Sequence, residues 1–264
     1  MKKKISITIN SKTLNRVDSI IDNIYIRNRS QAIEHLVDNA LGENKTAVIL
    51  SGGDIEKLRI SDTEFRPTAM IKSSCVIGLG IKKLRENSFK NIFIVASKKI
   101  LNRIFELFGD GSSEGVKISY IEEKHSRGTA YSLNLLRGKI KTNFLVVYGD
   151  IIFSKINIEE LWKDHLKHNA VSTLVLTTSS KPSEKGTLTM EGNKILKFTQ
   201  KPKKSDIYLV FSPIFVAEPD IFNYFGDSLE ENIFPELAEK GLLNGHMSSE
   251  KETHIHHKED LRKI

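Results

Sequence analysis

The sequence predicts an α/β protein in which a small strand–helix–helix unit precedes a doubly wound sheet. Three observations carry this. From residue 47 onward, short apolar runs alternate with helical patterns. Residues 4–9, KISITI, alternate strictly and lead into two helical patterns with no further strand before residue 46. A polar join, ENKT at 43–46, separates the two parts, giving units 1–43 and 44–264.

In the first unit Ile5, Ile7 and Ile9 share one strand face, and Lys4, Ser6 and Thr8 share the other. Asn10 or Ser11 is placed to cap a helix running to about Asp22, with Leu14, Val17, Ile20 and Ile21 as its buried stripe. The turn NIYIRNR leads to Ser30, the expected cap of a second helix, SQAIEHLVDNAL. That helix should bury Ile33, Leu36, Val37 and Leu41 and stop at Gly42. One strand and two helices cannot close a core, so pairing of two strands across a two-fold axis, as a homodimer or higher even oligomer, is expected.

The second unit opens with the strand AVILS. Then come NIFIVAS and the helix KKILNRIFELFG, KISYIEE and the helix GTAYSLNLLRGKI, NFLVVYGD and the helix NIEELWKDHLKHN, and VSTLVLTTS. A β-rich section follows at 187–217, with MEGNKI as a hairpin turn. In a sheet of this kind ligands sit at the carboxyl ends of the strands.

Of the 264 residues, 39% are hydrophobic, enough for a sizeable core. No apolar run reaches the roughly 18–20 residues that span a bilayer, and MKKKISITIN lacks an apolar signal segment, so a cytoplasmic protein away from membranes is expected. A lone Cys75 reads as a small core residue, and Trp162 as helix packing. The formal net charge is +7, and the first 30 residues carry seven basic side chains against two acidic ones. Such a balance permits a nucleic-acid partner.

KISITI, LNRVDSIID and NRSQAIEHLVDNAL together resemble a ribbon-helix-helix DNA-binding domain. The resemblance implies that paired strands enter the major groove of a pseudo-palindromic double-stranded DNA site. It gives base contacts to Lys4, Ser6 and Thr8 and a phosphate contact to Ser30, with Arg29 also among the DNA-binding residues.

Residues 46–264 resemble the sugar nucleotidyltransferases, a Rossmann-like, GT-A type mixed-sheet family. In that family a sugar 1-phosphate attacks the α-phosphate of a nucleoside triphosphate and expels pyrophosphate. Its pattern runs G-G-x-G-T-R-L, P-K, G-T-A, G-D, E-K-P and a late Asp. Gly52, Gly53, Gly128, Thr129, Ala130, Gly149, Asp150, Lys201 and Pro202 match it, which implies ligand-binding roles for these glycines, Thr129, Asp150 and Lys201. Ile55, Glu56 and Lys57 stand where the pattern has Gly, Thr and Arg. After Pro67 the catalytic lysine position holds Thr68, Gln200 replaces a glutamate, and His254 replaces the second metal-binding aspartate. Glu56 is expected to set a negative charge among the phosphates, and Ile55 to prevent the loop from wrapping them.

The resemblance implies Mg2+ if a nucleotide binds, with Asp150 and His254 as candidate ligands. His254, His256 and His257 could also hold a transition metal, or could form a solvated strand. Retained scaffold glycines beside substituted charges lead to an expected DNA-binding transcriptional regulator. Its inactive nucleotidyltransferase-like domain would sense a small phosphorylated ligand. The alternatives are an active sugar-1-phosphate nucleotidyltransferase with a DNA-binding appendage, and a DNA-binding dimer whose α/β part only mediates assembly.

Overall fold

The computed structural model describes residues 4–23, 26–41, 45–61 and 64–263. Lys2, Lys3, Gly42, the first half of the join at 43–46 and the side chain of Leu41 lie outside the described residues.

Two helices come first, α1 (Ser11–Asp18) and α2 (Arg29–Leu41). Asn10 caps α1 by accepting from the Thr13 amide at 2.8 Å. The helix ends at Asp18, four residues short of the expected end, because the amides of Ser19, Ile20 and Ile21 bond back to Asn15, Val17 and Asp18 and close the turn. The cap of α2 is Asn28, whose side chain accepts from the Gln31 amide at 3.0 Å, so Ser30 lies inside the first turn instead of capping it. Val17 and Ala32 are buried where the helices meet. No strand forms over residues 4–10, since a single chain offers them no ladder partner, and Ile5 and Ile7 stand exposed.

The α/β part begins with β1 (Lys45–Ser51), a short helix α3 (Ile55–Leu58) and the two-residue strands β2 (Met70–Ile71) and β3 (Ser74–Cys75). Then follow α4 (Val76–Glu86), β4 (Phe89–Ala96), α5 (Lys98–Phe108), β5 (Lys117–Glu122) and α6 (Thr129–Asn134). Next come β6 (Phe144–Tyr148), β7 (Ile151–Ile152), α7 (Ile158–Lys167) and β8 (Ser172–Thr178). The chain continues through β9 (Gly186–Glu191), β10 (Lys194–Gln200), β11 (Leu209–Ala217), α8 (Phe234–Glu239), β12 (Leu243–Met247) and β13 (Thr253–His254). The helix expected over 128–140 is shorter than its pattern: α6 gives way to turns after Asn134.

Nine strands form one mixed sheet in the order β5-β4-β1-β6-β11-β8-β12-β10-β9. The first four are parallel, and their AVIL- and LVV-type runs are buried because both faces are covered. β11 runs antiparallel to β6 and β8, and Pro213 is accommodated by a register shift between Ser212 and Phe215. One face packs on α4, α5 and α7, with Ile81, Ile104 and Trp162 in its core; the other packs on α6 and α8, with Leu133 and Phe234. Trp162 meets Phe89 edge to face at 5.2 Å. Cys75 is a buried free thiol whose pKa burial pushes up.

The chain winds outward from β1 through β4 to β5, then returns to the other side of β1 to lay down β6. That reversal opens a crevice between the carboxyl ends of β1 and β6.

Candidate functional site

β1 delivers Ser51, Gly52 and Gly53 to the crevice, and β6 delivers Tyr148, Gly149 and Asp150. Gly53 has φ +116, which favours glycine, and its amide donates to the Glu123 carboxylate at 2.7 Å. A Cβ on Gly52 would come within 2.7 Å of the Glu123 carboxyl carbon, so only glycine lets this loop lie on that side chain. Glu123 is buried and also accepts from the Ser132 hydroxyl on α6. One carboxylate thus ties together the loop after β1, the end of β5 and α6.

These elements wall a cavity of about 150 Å³, lined by Gly52, Gly53, Pro67, Thr129, Tyr148 and Asp150 among others. A second cavity, of about 320 Å³, shares Tyr148 and Asp150 and extends over Lys185, Gln200, Lys201, Glu230 and His254. The two form one cleft bent at Asp150. Ser51 Oγ in the first chamber and Gln200 Oε1 in the second are buried polar atoms without a hydrogen-bond partner among the described residues. Each has a donor or acceptor to offer a polar ligand.

Glu230 rides on a π-turn, Leu229–Ile233, capped by the Ser228 side chain. Its carboxylate accepts from Thr129 Oγ1 at 2.6 Å, Ser228 Oγ at 3.0 Å and the Tyr148 hydroxyl. Thr129 in turn accepts from the Leu229 amide at 2.9 Å. Burial and the Glu230 charge push the Tyr148 phenol well above its ordinary pKa, so it stays a donor.

Beyond Asp150, β7 pairs with β13, and the Ile255 amide donates to the Asp150 carbonyl at 2.9 Å. This sets His254 beside Asp150. His254 Nε2 meets Glu252 at 2.9 Å, and Glu252 also accepts from Lys185 at 2.8 Å and Ser212 at 2.6 Å. Burial pushes the Glu252 carboxyl up, but the bonds from His254, Lys185 and Ser212 outweigh it and hold the pKa at about 2. A carboxyl depressed in the fold stabilises it above its unfolded pKa of 4.5, and that stability is lost as pH falls toward about 2. Glu252→Gln should therefore lower stability at pH 7 by on the order of 3 kcal/mol and flatten the acid limb of a pH–stability curve, as denaturant titrations would measure.

Of the remaining expected site residues, some lie away from the cleft and some in it. Asp54 caps α3 and turns Glu56 outward onto Arg59 at 2.8 Å, so Glu56 lines neither chamber and places no charge among phosphates. Ile55 needs no positive φ, because the left-handed residue is Gly53 and Ile55 starts a helix. Thr68 is buried with its hydroxyl on the Phe65 carbonyl. Lys201 lines the second chamber at φ +41, a left-handed conformation uncommon for lysine. Arg29 makes a two-pronged pair with Asp18 at 2.7 and 2.9 Å, and Lys4, Ser6 and Thr8 lie exposed on the stretch before α1. The His256 and His257 amides both donate to Asp260, forming a turn instead of the expected alternatives of a metal cluster or a strand. Glu123, Glu230, Glu252, Lys185 and Arg66 were not legible as site residues. For Glu230 the only local signal was a Ser-capped start, SLEE, ahead of an apolar run.

The sequence profile of the nucleotidyl transferase family matches residues 46–255. The chain belongs to this family. Among curated relatives of this nucleotidyl transferase, a mannose-1-phosphate guanylyltransferase catalytic subunit beta of Danio rerio is 27% identical over 208 residues, 75% of this chain and 57% of that protein. A mannose-1-phosphate guanylyltransferase of Mycobacterium tuberculosis is 25% identical over 203 residues, 74% of this chain and 56% of that protein. The chain thus spans little more than half the length of these relatives. In fold, the nucleotidyl transferase matches a crystal structure described as a glucose-1-phosphate thymidylyltransferase from Bacillus anthracis in complex with sucrose. The TM-score is 0.74 at 19% identity, covering 83% of this chain and 93% of that one.

These relatives correct the expected function. What residues 46–255 match are sugar-nucleotide-forming enzymes, which replaces the regulator reading and the inactive, sensing domain it assumed. The DNA-binding and transcriptional roles drawn from the N-terminal resemblance fall with it. No helix among the described residues is long and apolar enough to cross a membrane.

The donors at the bend fit a hard divalent cation that brings most of its own ligands. Asp150 offers one carboxylate, and phosphate oxygens would complete the shell of a Mg2+ ion. Among the described residues no three His, Cys, Asp or Glu side chains gather into a cage, and His254 has its Nε2 on Glu252.

Proposed function

We propose that this chain is a sugar-1-phosphate nucleotidyltransferase. An oxygen of the sugar 1-phosphate attacks the α-phosphorus of a nucleoside triphosphate, the bond from that phosphorus to the β-phosphate bridging oxygen breaks, and pyrophosphate leaves. The observation that carries this reading is the bent cleft. Two chambers, one under the glycine loop and one under Lys201 and Glu230, meet at Asp150. Base and ribose suit the first chamber, where nothing lies within 4 Å of the place a Cβ on Gly53 would take, which leaves room for close backbone approach. The sugar phosphate suits the second, where Lys201 offers a cation and Glu230 a carboxylate acceptor for sugar hydroxyls. A bound Mg2+ would neutralise phosphate charge at Asp150. In this reading the chemistry lies wholly within 44–264.

The names of the relatives make guanosine triphosphate with mannose 1-phosphate the first pair to try. Pyrophosphate release should be assayed with guanosine, uridine and thymidine triphosphates against mannose and glucose 1-phosphates, with Mg2+. Turnover with guanosine triphosphate above the pyrimidine nucleotides is expected. No release with any pair would reject the reading.

A further inference from the structure

One wall of the second chamber is made by the start of β9 and the end of β10, where Gly186 pairs with Gln200. Lys185 stands just before β9 with its backbone held on both sides. Its amide donates to the Pro182 carbonyl at 3.0 Å, and its carbonyl accepts from the Lys201 amide at 3.0 Å. The ammonium is held as well. Glu252 Oε1 accepts from Lys185 Nζ at 2.8 Å and from His254 Nε2 at 2.9 Å, and Oε2 accepts from Ser212 at 2.6 Å. The Glu252 side chain is 1% exposed and the Lys185 side chain 29%. The carboxylate therefore faces its three donors and not the chamber. Lys185 does face the chamber, and an ammonium that gives one N–H to Glu252 keeps two more. Beside it is Gln200 Oε1, a buried acceptor without a partner among the described residues. A Cβ on Gly186 would lie 2.9 Å from that oxygen, so glycine is what lets it rest on the strand next to Lys185.

We propose that Lys185, set in place by Glu252, selects the sugar of the sugar 1-phosphate by donating to one of its hydroxyls, whose own hydrogen goes to Gln200 Oε1. The proposal rests on the nucleotidyltransferase reading above and names what reads the sugar within it. Three observations support it. First, the wall offers a donor and an acceptor side by side, and a hydroxyl is the sugar group that answers both. A phosphate oxygen without a proton has nothing to give Gln200. Second, the Lys185–Glu252 pair carries no net charge, so it adds little attraction for a second anion but keeps its N–H groups for a neutral oxygen. A carboxylate on the sugar at this place would also enter a chamber lined by Glu184 and Glu230. The fitting class is thus a hexose 1-phosphate with a free hydroxyl there. Third, the lysine is ordered before the sugar arrives. A lysine loses much rotamer freedom when it makes a contact, and Glu252 has already fixed this one, so the hydroxyl meets a prepared donor. Glu252 is a positioning residue in this account, acting on the sugar only through Lys185. With three polar groups spaced along one wall, loss of the hydroxyl leaves Gln200 Oε1 buried and unpaired, which is what makes the contact selective.

The test crosses protein variants with sugar variants. Isothermal titration measures mannose 1-phosphate, glucose 1-phosphate and the 2-, 3-, 4- and 6-deoxy forms of whichever binds tighter, on wild type, Lys185→Met, Gln200→Met and Glu252→Gln. Wild type should bind at least one deoxy form about tenfold or more weaker than the parent. Lys185→Met should bind the parent about that much weaker and no longer distinguish that deoxy form, and guanosine triphosphate affinity should be unchanged. Gln200→Met leaves Glu252 paired and should lose the same discrimination, so it carries the test if Lys185→Met is unstable. In pyrophosphate release Lys185→Met and Glu252→Gln should raise KM for the sugar phosphate with kcat within about threefold, the mark of a contact made equally in ground and transition states. A purely structural Glu252 would instead lower the melting temperature and leave KM alone. Parent affinity in Lys185→Met within about twofold of wild type would overturn the proposal. So would variants that still reject the same deoxy form, or a wild type that rejects none or binds neither sugar phosphate. A wild type that selects its sugar through Lys185 yet releases no pyrophosphate would sink the enzymatic reading and leave Lys185 as a sugar contact.

Discussion

Replacing Asp150 by Asn should lower pyrophosphate release by about 10²–10³-fold, the usual cost of one electrostatic contact to a transition state. The substitution keeps shape and removes charge. The backbone around it does not depend on the carboxylate: the Gly149 amide donates to the Leu50 carbonyl at 2.8 Å, and the Ile255 amide donates to the Asp150 carbonyl at 2.9 Å. The side chain's ion pair, to Arg66 at 3.5 Å, is too long to contribute much to stability. Melting should therefore shift little while activity collapses. The reverse pattern, intact turnover with a lower melting temperature, would mean that the carboxylate is structural and that the two chambers do not meet at the reacting phosphorus.

Gly128→Ala should cost about 2–6 kcal/mol of stability. Gly128 has φ +142, where an alanine is strained, and the added Cβ would come within 2.8 Å of the Asp227 carbonyl carbon. That carbonyl cannot step aside freely. It accepts from the Ala130 and Tyr131 amides at 2.9 and 3.2 Å and so closes the first turn of α6. Moving it also drags Ser228 and the π-turn that holds Glu230 over Thr129. Chemical denaturation should show a lower midpoint with an unchanged slope. A loss below about 1 kcal/mol would mean that the 227–230 segment relaxes without consequence.

Much of this architecture was legible because parallel strands buried on both faces are apolar throughout, as in AVIL before Gly52 and FLVV before Tyr148. The glycines at 52, 53, 128 and 149 pointed to the crevice for a related reason: each sits where another residue's atoms fill the place of a Cβ or where φ is positive. The carboxylates that organise the site left no such trace. Glu123 reaches Gly53 across 70 residues and Glu230 reaches Thr129 across 101, and no local pattern encodes a pairing at that distance. Alternation at KISITI was real, but a ladder needs a second strand, and no other segment among the described residues supplies one to residues 4–10. The functional misreading had a physical source too. At their aligned positions Thr68 and Glu56 read as charge lost and charge misplaced. The fold turns Glu56 onto Arg59.

β12 has a consequence for the order in which the protein can assemble during its synthesis. It lies inside the sheet, parallel to β8 and antiparallel to β10, although it is made after both. Until residues 243–247 leave the ribosome, β8 has an open edge and the β9–β10 hairpin pairs with the rest of the sheet through a single bridge to β11, with Phe198 packed on Phe234 of α8. The four parallel strands, by contrast, are all complete by residue 148. The nascent chain therefore carries an unsealed seam beside an early-formed half, and the seam is where a stalled translation product would pair with the wrong strand.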